Sequence, residues 1–451
     1  MAQADHSKPG FKVKKLVCVT ANNRNKYYNM FEQPNGTFIG CYGRVDGPET
    51  EVSYSMSKWD STYKSKTQRK DEPYTDKTDL YITESKIITP GKVKIEMFGP
   101  GRDTSTVGFI KDLMSHANAS VVENYDVNVT AVTKQQVAAA QAILDKLSAM
   151  AKPGQRLDDF NQTLIDLYMT IPRKMKNVKH HIFGEDDKIT TTLLSRNGSP
   201  GRSKDDKSTS QGINQLLSFE QDTLDVMAGQ VNTNVAETQE EQSGKNYDIL
   251  TTLGLNCELV TSAAEIAMIK KKMDFNANGR TGDEQSHRFL RAFRVNNNSS
   301  ENAFDKYIKD QNNKSKQLLW HGSRNENWWS IFQQSLKIRP TNAIITGKMW
   351  GYGIYFADKA KKSIGYTSGG YYAGGRNNSK GYLALFDMHQ GDAYSIKRHQ
   401  SEHSSLDWNR LQKYGTYDSV FALGGADLIN NEYIIYKEQQ CTIRYIVEFK
   451  A

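Results

Sequence analysis

The sequence predicts a multidomain α+β protein in three parts: a small antiparallel sheet carrying one helix, an all-α helical bundle, and a C-terminal α+β domain. Three observations lead there. The N-terminal stretch alternates apolar and polar positions between turn signals, the middle stretch repeats apolar residues at helical spacing, and the remainder returns to short strands and ends on one. The length agrees, because 451 residues exceed what one hydrophobic core ordinarily organises.

Residues 1–10 read as a disordered tail and 11–112 as the sheet domain. KLVCVT alternates, NKYYNMF is rich in aromatics, and QPNGTFIGCYGRV places a Pro-Asn-Gly turn between two strands. Ser57 to Lys70 is the expected helix, and GKVKIEMFG a further strand. A linker at 113–125 leads to the bundle at 126–236. There Val137, Ala140, Leu144 and Leu147 form one stripe, with Thr133 placed to cap the helix. Phe160, Leu164, Leu167 and Ile171 repeat the spacing until Pro172 stops it. INQLLSFEQDTLDVMAGQV reads as a third helix ending near Gly229. The polar stretch 195–212 reads as a disordered loop, and 232–246 as a linker. In the last domain, 245–451, the strands are HRFLRAFRV, KQLLWHG, GYLALFDMH, YIIYKEQQ and CTIRYIVEFK, interrupted by only one or two short helices.

Composition narrows the function classes. No run approaches the roughly 20 apolar residues of a membrane span. MAQADHSKPGFKVKK lacks the apolar core of a secretory signal, so an intracellular protein is expected. Cys18, Cys41, Cys257 and Cys441 have no metal-ligand spacing, so neither a zinc site nor a disulfide framework is expected. A net charge of +8 is compatible with a nucleic-acid partner without requiring one. GxxxxGK[ST], HExxH, GxSxG and a strand-to-helix GxGxxG are all absent.

The chemistry concentrates near the C-terminus. In LLWHGSRN a strand carries His321 to the edge of a sheet, and Gly322 leaves backbone groups open to a ligand. A histidine there also suits a purely structural hydrogen bond. In GKMWGYGIYFADKAKKSIGYTS, Ser363 and Tyr366 share one helical face, which suits a planar heterocycle bearing an amide as well as an ordinary aromatic core. In LINNEYIIYK, Glu432 opens an alternating strand.

These three segments, in this order, resemble the catalytic domain of the poly(ADP-ribose) polymerases. LIDLYMTIPR resembles that family's regulatory helical domain. The N-terminal stretch resembles its nucleic-acid-sensing WGR domain, whose signature appears as Tyr42-Gly43-Arg44-Val45, with Tyr where the family has Trp. The fold implied is a WGR-like sheet, a helical bundle and an ADP-ribosyltransferase domain. The implied activity is DNA-break-stimulated transfer of ADP-ribose from NAD+ to protein acceptors, itself included, with nicotinamide released. A mono-ADP-ribosyltransferase and a catalytically weak DNA-end-binding scaffold are the alternatives.

The resemblance implies a catalytic triad of His321, Tyr355 and Glu432. Glu432 would stabilise the oxocarbenium-like ribose and polarise an acceptor hydroxyl. His321 and Ser323 would hold the adenosine ribose, while Gly322 and Ser363 pair with the nicotinamide amide and Tyr355 and Tyr366 sandwich the ring. Asn327 and Lys362 line the same NAD+ site. Lys337 stands where better-known members have arginine, with Arg339 as its possible substitute. Arg44, Tyr42 and Trp59 are the DNA-contact candidates. No metal or membrane is expected; the chain would be monomeric until bound to DNA, and nuclear in a eukaryote.

Overall fold

A computed structural model describes residues 11–81, 97–126, 132–184, 187–196, 212–243, 247–276, 279–338, 349–370 and 379–451. The chain forms two compact units. One comprises 1–93 and 120–234, the other 94–119 and 235–451.

The first unit opens with β1 (Val13–Thr20), β2 (Arg24–Glu32), β3 (Thr37–Arg44) and β4 (Glu49–Ser55). α1 (Trp59–Thr67) follows, then β5 (Thr75–Asp76) and α2 (Thr78–Tyr81). The strands make an antiparallel sheet in the order β4-β3-β2-β1-β5. Its β2–β3 turn is the expected one, with Gly36 at φ +78°. Leu16, Tyr28, Met30, Phe38 and Trp59 close a core between the sheet and α1. Most of GKVKIEMFG lies outside the described residues, as do the tail 1–10 and most of the loop 195–212.

α3 (Thr104–Asn124) overturns the expected linker at 113–125. Ile110, Leu113, Ala117 and Val121 recur every three or four residues and are buried, so the segment has a helix's apolar stripe. The helices α4 (Lys134–Met150), α5 (Leu157–Thr170) and α6 (Thr191–Ser195) follow, then α7 (Ile213–Ser243). Thr133 caps α4 as expected: its hydroxyl accepts from Gln136 N while Gln136 Oε1 accepts from Thr133 N, both at 3.0 Å. α7 runs through the expected linker at 232–243, because Ala, Glu and Gln there are helix formers and no proline intervenes. Sheet and bundle lie in this one unit. Buried Arg173 links them to α7's Glu220 by an ion pair at 2.9 Å and to Asn25, whose side-chain amide donates to Arg173 O at 3.0 Å.

The second unit contains α8 (Ile249–Thr252), β6 (Leu255–Leu259), α9 (Ala263–Met273), β7 (Phe289–Asn297) and α10 (Asn298–Lys309). Next come β8 (Lys316–Gly322), α11 (Trp328–Gln334), β9 (Ile354–Phe356), α12 (Ala360–Ile364), β10 (Lys380–His389) and β11 (Ala393–Ile396). α13 (Trp408–Leu411), β12 (Ser419–Ala422), β13 (Glu432–Ile435) and β14 (Cys441–Lys450) complete it. There are more helices than the expected one or two; α10, for one, shows few apolar positions, with Phe304 and Tyr307 as its buried residues. Two sheets result, β6-β7-β14-β10-β8 and β11-β12-β13-β9. The start of α3 belongs here: Phe109 stacks on Phe293 at 3.9 Å, and Asp112 accepts from Lys380 Nζ at 2.7 Å and from the Tyr382 hydroxyl. All four cysteines are buried and unpaired. Among the described residues no helix is long and apolar enough to cross a membrane.

Candidate active site

Two sheets meet where the catalytic candidates lie. β8 is an outer strand whose Leu319 and Trp320 are buried, which brings His321 to the strand's end. Trp320 exchanges backbone hydrogen bonds of 2.8 and 2.9 Å with Ala357, just past β9. β9 sets Tyr355 beside Ile434 of β13, and β13 opens on Glu432, as expected. One tie between sheets therefore fixes the histidine, tyrosine and glutamate relative to one another.

The His321 ring has Nδ1 2.9 Å from Tyr355 O. A carbonyl only accepts, so Nδ1 carries the proton of the neutral ring and Nε2 presents its lone pair. Burial lowers the His321 pKa below its ordinary 6.5, opposed by that hydrogen bond, so the neutral ring is the stable form near pH 7. The edges of Trp328, Phe356 and Phe386 surround it at 5.8–6.4 Å between centroids.

Gly322 is required by packing. A Cβ there would stand 1.9 Å from Ser363 O, so β8 can lie this close to α12 only without a side chain. The close approach brings the Gly322 backbone and buried Ser363 together. Ser363 O accepts from Tyr366 N at 3.1 Å, closing the turn that carries Tyr366, which is 41% exposed. The Tyr355 hydroxyl donates to Gly351 O at 2.9 Å and accepts from Trp350 N at 3.0 Å. The phenol is thereby committed to backbone, leaving the ring as the group a ligand can meet. Burial also raises the Tyr355 pKa, so it stays neutral.

Glu432 is 6% exposed. Its Oε1 accepts from Lys362 Nζ at 2.5 Å, and the same ammonium donates to Asn431 O at 3.4 Å. Oε2 is buried with no hydrogen-bond partner among the described residues. A buried carboxylate oxygen in that state is costly and is relieved by a hydroxyl donor. Burial lowers the Lys362 pKa while the Glu432 charge opposes the fall.

The other expected residues divide. Asn327 Nδ2 donates to Ser323 Oγ at 3.0 Å, so this pair is together beside His321. Lys337 Nζ instead sits on Glu438 Oε2 at 2.9 Å, and Arg339 lies outside the described residues. In the first unit, Trp59 packs edge-on against Phe38 in the core, and Tyr42 stacks on Tyr28 at 5.2 Å. Arg44 donates to Asn23 O and Lys176 O, each at 2.9 Å, so its guanidinium holds loop carbonyls together. All three DNA-contact candidates thus have local packing or hydrogen-bonding roles. Cys41, Glu49 and Glu51 have ligand atoms within 4.8 Å of one another, but burial pushes the Cys41 thiol up to about 12, against the thiolate a metal would need.

Comparison with known proteins matches residues 263–451 to the poly(ADP-ribose) polymerase catalytic domain. A poly(ADP-ribose) polymerase-like protein of Invertebrate iridescent virus 6 is 34% identical over 150 residues, covering 33% of this chain and 78% of the viral protein. The chain belongs to the poly(ADP-ribose) polymerase family. It is also similar to an uncharacterised protein of the same virus, 31% identical over 223 residues, 49% of this chain and 79% of that protein. Similarity extends to poly(ADP-ribose) polymerase 2 of Zea mays, 30% identical over 218 residues, 43% of this chain and 32% of the plant protein. The chain thus matches only about a third of that plant relative's length. As a member of this family it carries the catalytic domain of an NAD+ ADP-ribosyltransferase, with NAD+ as the substrate.

The site also contains residues that the sequence does not single out. Asn325 N donates to Ser368 Oγ at 2.7 Å, tying the segment after Gly322 to the end of the α12 turn. Asn431 Nδ2 donates to Asp358 Oδ2 at 2.8 Å, and Asn431 Oδ1 accepts from Gly424 N at 2.9 Å. A signal for the second group was present: Asn431 precedes Glu432, and Asp358 lies one helical turn before Lys362.

Proposed function

We propose that this chain is a DNA-break-stimulated poly(ADP-ribose) polymerase, which transfers ADP-ribose from NAD+ to protein acceptors and to itself and releases nicotinamide. The observation that carries the reading is the buried Oε2 of Glu432, which has no hydrogen-bond partner among the described residues and is held beside the Lys362 ammonium. In this role Oε2 accepts from the nicotinamide ribose 2′-OH. That hydrogen bond strengthens as positive charge develops on the ribose, so it favours the transition state over the bound substrate. The same carboxylate then polarises an acceptor hydroxyl for elongation.

The remaining residues bind and orient. The His321 Nε2 lone pair accepts from an adenosine ribose hydroxyl, with Ser323 and Asn327 alongside. The Gly322 backbone and the Ser363 hydroxyl take the nicotinamide amide, while Tyr355 and Tyr366 flank its ring and fix the glycosidic bond for cleavage. Lys337 reaches the substrate only by releasing Glu438. DNA stimulation is assigned to the first unit through its WGR-like sheet, whose Arg44 joins β3 to the 175–176 segment of the same unit. Action at DNA breaks would place the protein in the nucleus of a eukaryotic cell.

The test is nicotinamide release by the purified chain, with and without a short nicked or blunt-ended duplex, with the modified protein run on a gel. DNA-dependent turnover giving a ladder supports the full reading. A single shifted band would mean mono-ADP-ribosylation. Turnover indifferent to DNA would remove the sensing role, and absence of turnover in both conditions would leave a binding scaffold.

A further inference from the structure

Lys362 is the residue that holds Glu432, and its environment raises a question of its own. A lysine this buried loses hydration, which favours the neutral amine and would loosen its grip on the carboxylate. One carboxylate at 2.5 Å opposes that loss. A second acts on it as well: Asp358, in the loop between β9 and α12, lies close enough for its charge to favour the Lys362 ammonium.

Asp358 is itself built into the site. Its Oδ2 accepts from Asn431 Nδ2 at 2.8 Å, and the Tyr433 phenol lies beside the same carboxylate. Asn431 passes the connection on, since its Oδ1 accepts from Gly424 N at 2.9 Å. Its backbone oxygen accepts from Lys362, and the next residue is Glu432. One carboxylate thus secures both the lysine that holds Glu432 and the backbone from which Glu432 projects.

We propose that Asp358 is a positioning residue for ADP-ribose transfer: it fixes Asn431, and through Asn431 the entry to β13, and it supplies the second negative charge that keeps the Lys362 ammonium on Glu432. The proposal rests on the role given above to Glu432. Among the described residues, the charged and titratable groups around this centre are few. Lys362 is faced by Glu432 from β13 and by Asp358 from the β9–α12 loop. Asp358 is also near Lys272 of α9, whose ammonium donates to Leu318 O at 2.8 Å, and near the Tyr433 phenol, which burial and the Asp358 charge keep neutral. The Tyr355 phenol lies near Glu432 and is neutral as well. Removing the Asp358 charge therefore leaves Lys362 with one counter-charge instead of two, and the ammonium loses its proton at lower pH.

The experiment is the pH dependence of nicotinamide release by the full chain, kcat and KM for NAD+ being measured separately. Asp358→Asn keeps an oxygen for the Asn431 amide but removes the charge. Its alkaline limb should move down by about half a unit to one unit, with KM within about twofold of native. Asp358→Ala also frees Asn431, and kcat should fall about ten- to a hundredfold, the scale expected when a reacting group is displaced by about an ångström. Lys362→Met should lack the alkaline limb, and adding Asp358→Asn to it should shift nothing further. Thermal melts confirm that each variant is folded, and Asp358→Asn decides the matter if Asp358→Ala is not. An alkaline limb in Asp358→Asn that coincides with native overturns the proposal, as does a folded Asp358→Ala with kcat within twofold of native. Glu432→Gln is measured in parallel. If it releases nicotinamide and elongates like native, the role of Glu432 fails and this inference with it; if it is impaired while both Asp358 variants behave as native, only this inference fails.

Discussion

At the scale of single residues, the site depends on groups that have little room to change. Gly322→Ala would drive a Cβ into the Ser363 carbonyl, so β8 or α12 must move. The expected result is a loss of about 2 kcal/mol in stability and a kcat at least tenfold lower, read by thermal melting and nicotinamide release. His321 gives a pH prediction of definite sign. Its folded pKa is depressed below 6.5, so the unfolded chain binds the extra proton first as pH falls. Stability is therefore retained above about 6.5 and declines below it, and His321→Asn should flatten that decline in urea unfolding followed from pH 7.5 to 5. Much at this scale was legible: LLWHGS announced a strand carrying a histidine near its end, and LINNEYIIYK announced a carboxylate at a strand mouth. Asp358 and Asn431 were not singled out, because a carboxylate–amide pair is made by two segments far apart in sequence. Lys337 read as a substrate contact for a similar reason, since Glu438 becomes its neighbour only once β13 is in place.

At the scale of elements, the strands were clear and some of the helices were not. β8, β10, β13 and β14 alternate or run apolar for long enough to be read directly. α10 is mostly polar, with Phe304 and Tyr307 as its buried side chains, so its stripe is thin in the sequence. The second half of α3 and the end of α7 occupy stretches expected as linkers, 113–125 and 232–246, and in α7 the polar composition of that stretch hides the helix. Where the local chemistry was specific, the reading held: Thr133 and Gln136 form the full capping box, and Thr133→Ala should cost about 1 kcal/mol in urea unfolding. The Arg173–Glu220 pair is a stronger constraint, with side chains 6% and 3% exposed. Glu220→Gln leaves a buried guanidinium without its counter-charge, so a loss of about 3 kcal/mol is expected in the same measurement. A change below 1 kcal/mol would mean that Tyr125 and Phe219, which lie against the Arg173 guanidinium, carry its burial unaided.

At the scale of the whole molecule, each unit is assembled from two separate stretches of chain. A fragment beginning after residue 230 looks like a complete catalytic domain in the sequence, yet it would lack the start of α3. Without Phe109 and Asp112, Phe293 and Tyr382 lose partners that bury them. Such a fragment should melt below the corresponding transition of the full chain and bind a hydrophobic dye, and adding back residues 97–119 should reverse both. The same arrangement bears on how the protein is made. Synthesis runs from the N-terminus, so the apolar stripe of α3 leaves the ribosome well before β7 and β10, the strands that receive it, exist. Phe109, Ile110 and Leu113 must then wait uncovered while the rest of the first unit is translated. Docking of α3 onto its sheet therefore cannot precede synthesis of β10, and until then its apolar stripe is open to misassociation and to chaperones.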